Sequence, residues 1–343
     1  MKEHIQMKQS DTGPRQRVEW LDVCKGILIF FVILSHSYPT ELYEQFFTPF
    51  FLTMFFFASG YTFSTKSNFK EFIKNKCIRL LIPFLVLGLS RVAMYYVIEG
   101  GDIAARLKGF ALQINGQYDE LWFVSCLFTS SVLFYFIVAL CRKQKRFSEE
   151  RLVLVISSVV SIIGFADICV WKIRLIWEFE TACMMLIYMA IGYWYRRREK
   201  TGSLKFEKAA FMIPLFVLYT CIVLLFKNNV NIHTQTFEVP LLFVFSSLVV
   251  IFPIVYISKQ ICHSFMKSAL VFMGKNTLFY YAYAGIIRVL FYACCNYLSI
   301  ENEWILPILC ALFSALFMAF PAWLVRKYLP WIVGGGSSKP ANR

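Results

Sequence analysis

Apolar runs of about 20 residues, separated by short polar breaks, follow one another along the chain, and that is the length a helix needs to cross a bilayer core. Ten runs qualify: Trp20–Tyr38, Phe46–Phe63, Leu80–Ile98, Leu121–Leu140, Leu152–Val170, Trp177–Tyr195, Ala209–Phe226, Val239–Ile257, Leu278–Tyr297 and Trp304–Val325. They predict an all-α integral membrane protein of about ten transmembrane helices. The first nineteen residues are polar and lack the early apolar core of a cleavable leader, so insertion is expected to begin at the first internal run. The longest break, Glu99–Glu120, opens on a glycine pair and alternates in charge, which suits a short interfacial helix.

Basic residues alternate between the two sides of this layout. One side holds the termini and the breaks around Lys66–Arg79, Arg142–Arg151, Arg196–Lys208 and Lys259–Lys275, which with Lys25 near that end of the first run make 28 of the 35 Lys and Arg. Five, Arg106, Lys108, Lys172, Arg174 and Lys227, fall on the other side, and Arg91 and Arg288 lie within runs. The positive-inside rule then puts both termini in the cytoplasm. The expected organisation is a cytoplasmic segment 1–19, one membrane domain 20–326 and a cytoplasmic tail 327–343 in a multi-pass cell-membrane protein.

Composition removes the soluble alternatives. Hydrophobic residues are 58% and charged residues 16%, with 36 Phe and 18 Tyr, whereas soluble chains are about a quarter charged. A two-domain soluble enzyme is excluded. The net charge of +14 is accounted for by membrane topology without a nucleic-acid partner. Eleven Cys occur with no CxxC pair, so they read as small apolar packing residues rather than a metal or disulfide framework, and no metal is expected.

Ionisable side chains inside a membrane are costly and therefore mark function. Here they are Lys25, His36, Arg91, Asp167, Glu178, Glu180 and Arg288. Lys25 and His36 are eleven residues apart, which on a helix is within roughly 20° of one face and about 16 Å along the axis. A cation near the cytoplasmic surface suits a phosphate. An imidazole in the outer half suits a general base acting on a hydroxyl. A donor with a phosphorylated head and a long thin arm, such as a coenzyme A thioester, bridges the two. The structural alternatives are a snorkelling lysine and an interhelical histidine. Gly60, with Ala58 and Ser59, reads as a small-residue packing face beside the first run. Glu180 either faces the bundle, toward a sugar hydroxyl or His36, or sits with Glu178 at a wet rim. Arg91 and Arg288 either pair with those acids or hold an anionic acceptor.

These residues resemble the acyltransferase 3 family of membrane O-acyltransferases, particularly its fucose 4-O-acetylase-like members. Arg17-x₄-Asp22-x₂-Lys25-Gly26 with Lys25-x₁₀-His36 resembles the first-span signature, and Phe55–Tyr61 the second-span FFxxSGY segment. Arg79-Leu80-Leu81-Ile82-Pro83 resembles the entry to the third span, and Leu121–Val124 the LWFL stretch. Glu180-Thr181-Ala182 with Ile191-Gly192-Tyr193 resembles the sixth span, and Gly274-Lys275-Asn276-Thr277-Leu278 the GKNTL segment. The similarity runs from about Arg17 to Arg326. Two departures stand out: Ala284 replaces a histidine that some relatives carry after GKNTL, and Glu180 stands where relatives often have Asp. The resemblance implies transfer of an acyl group, commonly acetyl, from cytoplasmic acetyl-CoA to a sugar hydroxyl of a surface polysaccharide or lipid-linked glycan. His36 is then the base, Lys25 and Arg79 bind coenzyme A phosphates, and Glu180 orients His36 or the acceptor. Ser35, Ser37 and Trp122 are candidate oxyanion donors. The rival readings are a glycan or lipid exporter and a ligase using a polyprenyl-linked donor.

Overall fold

The computed structural model describes residues 17–64, 68–117, 121–144, 146–204 and 207–334. Most of the expected terminal segments, with Lys66, Lys145 and Lys205, lie outside the described residues. All ten apolar runs fall on helices, but the first is short and the second, sixth and tenth are divided. The first forms α1 (Glu19–Ser35), only 17 residues long. The second divides into α2 (Glu41–Phe51) and α3 (Thr53–Thr62). Pro49 has no N–H to give the ladder, and the Thr53 hydroxyl donates back to the carbonyls of Pro49 (2.9 Å) and Phe50 (3.2 Å). Both effects interrupt the helix near Leu52.

Asn68 caps α4 (Phe69–Lys76) by accepting the Glu71 N–H at 2.9 Å. A π turn, Cys77–Leu81, carries the chain straight into α5 (Ile82–Glu99). The longest break does hold a helix, α6 (Ile103–Leu112), capped by Asp102. Next come α7 (Trp122–Lys143) and α8 (Glu149–Ala166), the latter extended by a π turn, Asp167–Trp171. The sixth run is broken more severely. Trp177 and Glu178 are left-handed in a 3₁₀ turn, Ile176–Glu178, before α9 (Phe179–Met184) and α10 (Leu186–Lys200). After α11 (Ala209–Phe226) a small antiparallel hairpin pairs β1 (Val230–Asn231) with β2 (Thr236–Phe237). Then follow α12 (Pro240–Ile261), α13 (Lys267–Lys275), α14 (Thr277–Tyr297), α15 (Leu306–Phe317) and α16 (Ala319–Tyr328).

Among the described residues seven helices are long and apolar enough to cross a membrane. The first, second and sixth runs are the three outside that set, and they carry Lys25, His36 and Glu180. Around them the packing is close. Val23, Cys24, Leu28 and Ile33 of α1 are buried, whereas Phe211, Ile213, Leu224 and Leu225 of α11 are exposed apolar residues suited to lipid. Glycines permit the closest approaches. A Cβ on Gly26 would lie 2.1 Å from the Leu270 carbonyl oxygen, and one on Gly274 1.9 Å from that of Asp22, so α1 and α13 meet backbone to backbone. Gly60 and Gly192 do the same for α3 and α10, at 1.9 Å from Met189 O and 2.0 Å from Phe57 O. The glycine of the second run thus faces α10, not the first run as its position suggests. The small patch is a packing face, because only glycine brings backbones this near.

Candidate functional site

The site has two ends, joined by α1. At the basic end Asp22 is buried and holds Arg17 through a two-point ion pair, with Arg17 Nη2 donating to Oδ1 at 3.1 Å and Nε to Oδ2. Lys25 lies one turn further on, half-buried, and among the described residues its ammonium makes no hydrogen bond or ion pair. Lys76, at the end of α4, donates to Ser131 Oγ of α7 at 2.9 Å, and its longer contact to Ser59 Oγ is 3.5 Å. Its charged neighbours are Arg79 and Lys25. Arg79 is exposed on the π turn. Lys76 thus has both Lys25 and Arg79 as charged neighbours, with two hydroxyls beside it. Lys76 was read as one loop cation among many, although its spacing of three from Arg79 already brings the two near one another on a helical segment.

His36 is not inside the helix but caps it. Its N–H reaches Ile33 O at 3.1 Å, and Pro39 follows after the chain has turned. The ring Nδ1 lies 2.8 Å from the Val32 carbonyl oxygen. A carbonyl can only accept, so Nδ1 carries the proton and Nε2 keeps its lone pair. This is the tautomer a base requires. Ser35 Oγ donates to the same carbonyl at 2.8 Å and lies 3.2 Å from Nδ1, and Ser37 Oγ donates to Ile33 O at 2.8 Å. Both hydroxyls are thus occupied by the helix end.

The turn after His36 is held by α14. Arg288 Nη1 donates to the His36 carbonyl at 3.0 Å, and its guanidinium lies 4.3 Å from the Tyr38 ring centre. The Tyr292 hydroxyl donates to Ser37 O at 2.8 Å. Arg91 of α5 donates to Ala282 O at 2.9 Å. The charged or titratable groups that face the His36 ring are Arg91, Arg288 and His233. His233 comes from the loop between β1 and β2. Its ring stacks on Trp122, with centroids 5.1 Å apart and planes 15° apart. Ala284 is buried in α14 and leaves that span without a histidine, yet a second imidazole comes close from the hairpin.

Glu178 and Glu180 are not rim residues. They are 0% and 2% exposed, because the left-handed pair Trp177–Glu178 turns the chain inward. Glu180 accepts from Gln235 Nε2 at 2.8 Å and from the Leu175 N–H at 3.2 Å, and it does not bond His36. Gln235 also donates to Thr181 Oγ1 at 2.9 Å. Arg174 ties the loop down, donating to Gln235 Oε1 and to Asn115 Oδ1, and Asn115 in turn donates to the His233 carbonyl. Gln235 and Arg174 carry no sequence signal for this role; only the hairpin's return to the bundle reveals it.

The fold and site define a multi-pass helical membrane protein with a cationic mouth at one end of α1 and a base-competent histidine at the other. The family model described as an acyltransferase domain matches residues 18–324, and the chain belongs to that acyltransferase 3 family. A curated relative, Nodulation protein NolL of Sinorhizobium fredii, is 26% identical over 148 residues. That match covers 38% of this chain and 40% of the relative. No solved structure matches.

Proposed function

We propose that this membrane acyltransferase moves an acetyl group from cytoplasmic acetyl-CoA to a sugar hydroxyl of a surface polysaccharide or lipid-linked glycan, as the fucose 4-O-acetylase-like members suggest. The reading has ten membrane-spanning segments, both termini in the cytoplasm, and residence in the cell membrane. The observation that carries it is the 2.8 Å contact from His36 Nδ1 to the Val32 carbonyl, which leaves Nε2 free to take a proton.

In this mechanism Lys25, Lys76 and Arg79 bind the coenzyme A phosphates, and the pantetheine arm runs along α1 toward His36. Nε2 removes the proton of the acceptor hydroxyl as its oxygen attacks the thioester carbonyl. The C–O bond forms, the C–S bond breaks, and the coenzyme A thiolate leaves and recovers the proton from the imidazolium. Arg91 and Arg288 stabilise the oxyanion electrostatically. Glu180, engaged by Gln235, positions the acceptor rather than His36. The exporter reading asks for breaks at matching positions in repeated halves. The breaks here fall in the second, sixth and tenth of ten segments, and no two of these are equivalent places in two halves of five.

The test supplies acetyl-labelled acetyl-CoA and native glycan to membranes with the intact chain or His36→Ala at matched protein level. Alkali-labile label in the glycan should fall by about 10²–10⁴-fold in the variant. Equal label in both would remove His36 from the chemistry, and transport of unlabelled glycan without acylation would favour the exporter.

A further inference from the structure

Beside the hairpin, at the end of the bundle away from Lys25, lies a cavity of about 570 Å³ between the start of α2, the π turn after α8 and the β1–β2 hairpin. Its size falls in the range of small-ligand sites, and its lining is unusually rich in carboxylates and carboxamides. Gln235 is buried and forms part of the wall. Both ends of its carboxamide are engaged, by Glu180 and Thr181 on one side and Arg174 on the other. The cavity wall is therefore fixed to the Glu180 cluster, and the same loop, two residues earlier, delivers His233 to the vicinity of His36. Gln45 and Asn229 are joined to each other across the floor at 2.7 Å. By contrast, Glu41, Glu44 and Lys172 make no side-chain hydrogen bond or ion pair among the described residues. Three lining carboxylates, those of Glu41, Glu44 and Glu238, oppose the single ammonium of Lys172.

We infer that this cavity is an outer subsite for the acceptor glycan. It holds sugar units next to the one acylated, and it takes a neutral or amine-bearing oligosaccharide rather than a polyanionic one. The inference rests on the acyltransferase reading and adds the substrate class. Carboxylates and carboxamides are the groups that bind paired hydroxyls, and fixed negative charge repels uronate polymers while tolerating or attracting ammonium groups. Phe237 adds an apolar wall for a sugar's C–H face.

Cys169 lines the cavity and is a free, half-buried thiol, so its alkylation reports occupancy. The full chain in proteoliposomes is alkylated with a maleimide in the presence of cellotetraose, the chitosan tetramer or tetragalacturonate, and the rate at the Cys169 peptide is read by mass spectrometry. The neutral or the amine-bearing tetramer should slow alkylation severalfold, and tetragalacturonate should not. Thr236→Trp, which fills the cavity, should abolish protection and raise the KM for a protecting acceptor about tenfold, a loss of ~1.4 kcal/mol, with the KM for acetyl-CoA unchanged. Glu41→Lys should let tetragalacturonate protect. Protection by none of the three, equal protection by tetragalacturonate, or protection that survives Thr236→Trp in a protein that still binds acetyl-CoA overturns the subsite. Protection without any acetyl transfer leaves the subsite standing and sinks the acyltransferase reading. Transfer to a tetramer that does not protect does the reverse.

Discussion

Removing the guanidinium of Arg288 tests whether the turn after α1 sets the position of the base. Arg288 donates to the His36 carbonyl at 3.0 Å, and Tyr292 donates to the next carbonyl, that of Ser37, at 2.8 Å. A hydrogen bond from a charged donor contributes about 1.5–3 kcal/mol, and one from a neutral hydroxyl about 0.5–1.5. If that energy serves to hold the imidazole in place, Arg288→Met should lower kcat by roughly 10–150-fold, at about 1.4 kcal/mol per factor of ten. Tyr292 retains part of the turn, so the lower end of that range is expected. Tyr292→Phe alone should lower kcat by roughly 2–10-fold. The double variant should lose less than the product of the two, since both act on one turn. The assay is acetyl transfer under saturating acceptor, with acetyl-CoA varied and expression matched. A kcat within twofold of the intact chain refutes the argument. So does a loss confined to the acceptor KM, which would mean that Arg288 grips an acceptor anion directly.

Other consequences follow from the same geometry. Lys76→Ala should raise the KM for acetyl-CoA about tenfold or more with little change in kcat, because it removes the cation that neighbours Lys25 and Arg79; an unchanged KM would remove it from donor binding. Glu180→Gln keeps the size but turns one of the two acceptor oxygens that Gln235 and Leu175 address into an NH2 donor, so one of these N–H groups loses its acceptor. It should cost about 1–3 kcal/mol of unfolding stability, read as a lower midpoint in thermal denaturation. Gly192→Val should abolish folded protein on size-exclusion chromatography, since even a Cβ would stand 2.0 Å from the Phe57 carbonyl. Burial, with the Glu41 charge second, holds the Glu44 carboxyl above its usual range. Its ionisation therefore costs stability as pH rises past the ordinary carboxylate value. Glu44→Gln should be the more stable protein at neutral pH, and that advantage should shrink as pH falls toward 4.5.

The apolar runs located the long helices but neither α4 nor α13, which lie in the polar breaks, nor where the runs break, because a break depends on particular side chains. Pro49 with Thr53 interrupts the second run, and a left-handed pair that nothing in the composition marks interrupts the sixth. The Lys25–His36 relation was legible in part, because α1 runs unbroken from Lys25 to Ser35, but that His36 itself leaves the helix as its cap was not. Glu180 was legible as a polar residue in an apolar run, but its orientation was not, since that follows from Trp177 and Glu178. His233, Gln235 and Arg174 were invisible as site residues. They reach the site through chain segments distant in sequence, and no local period records such a return. The GKNTL-like segment was legible as a motif but not as an object; Gly274 turned out to be the seat on which the Lys25–Gly26 turn rests.

That seat also bears on biogenesis. Gly26 and Gly274 are separated by roughly 250 residues of synthesis, on the order of 12–50 s at typical elongation rates. Throughout that interval the first helix waits in or near the membrane with the partner that will press on its backbone not yet made. A chain stopped before α13 would contain Lys25, His36, Lys76, Arg79, Glu180 and His233, and could pack α1 on α2, α3 and α12, yet would leave the Gly26 face of α1 uncovered. Completion of the packing around α1 is thus a late event, reported by the far end of the polypeptide. Quality control that senses an uncovered Gly26 face would read the integrity of almost the whole chain through one helix.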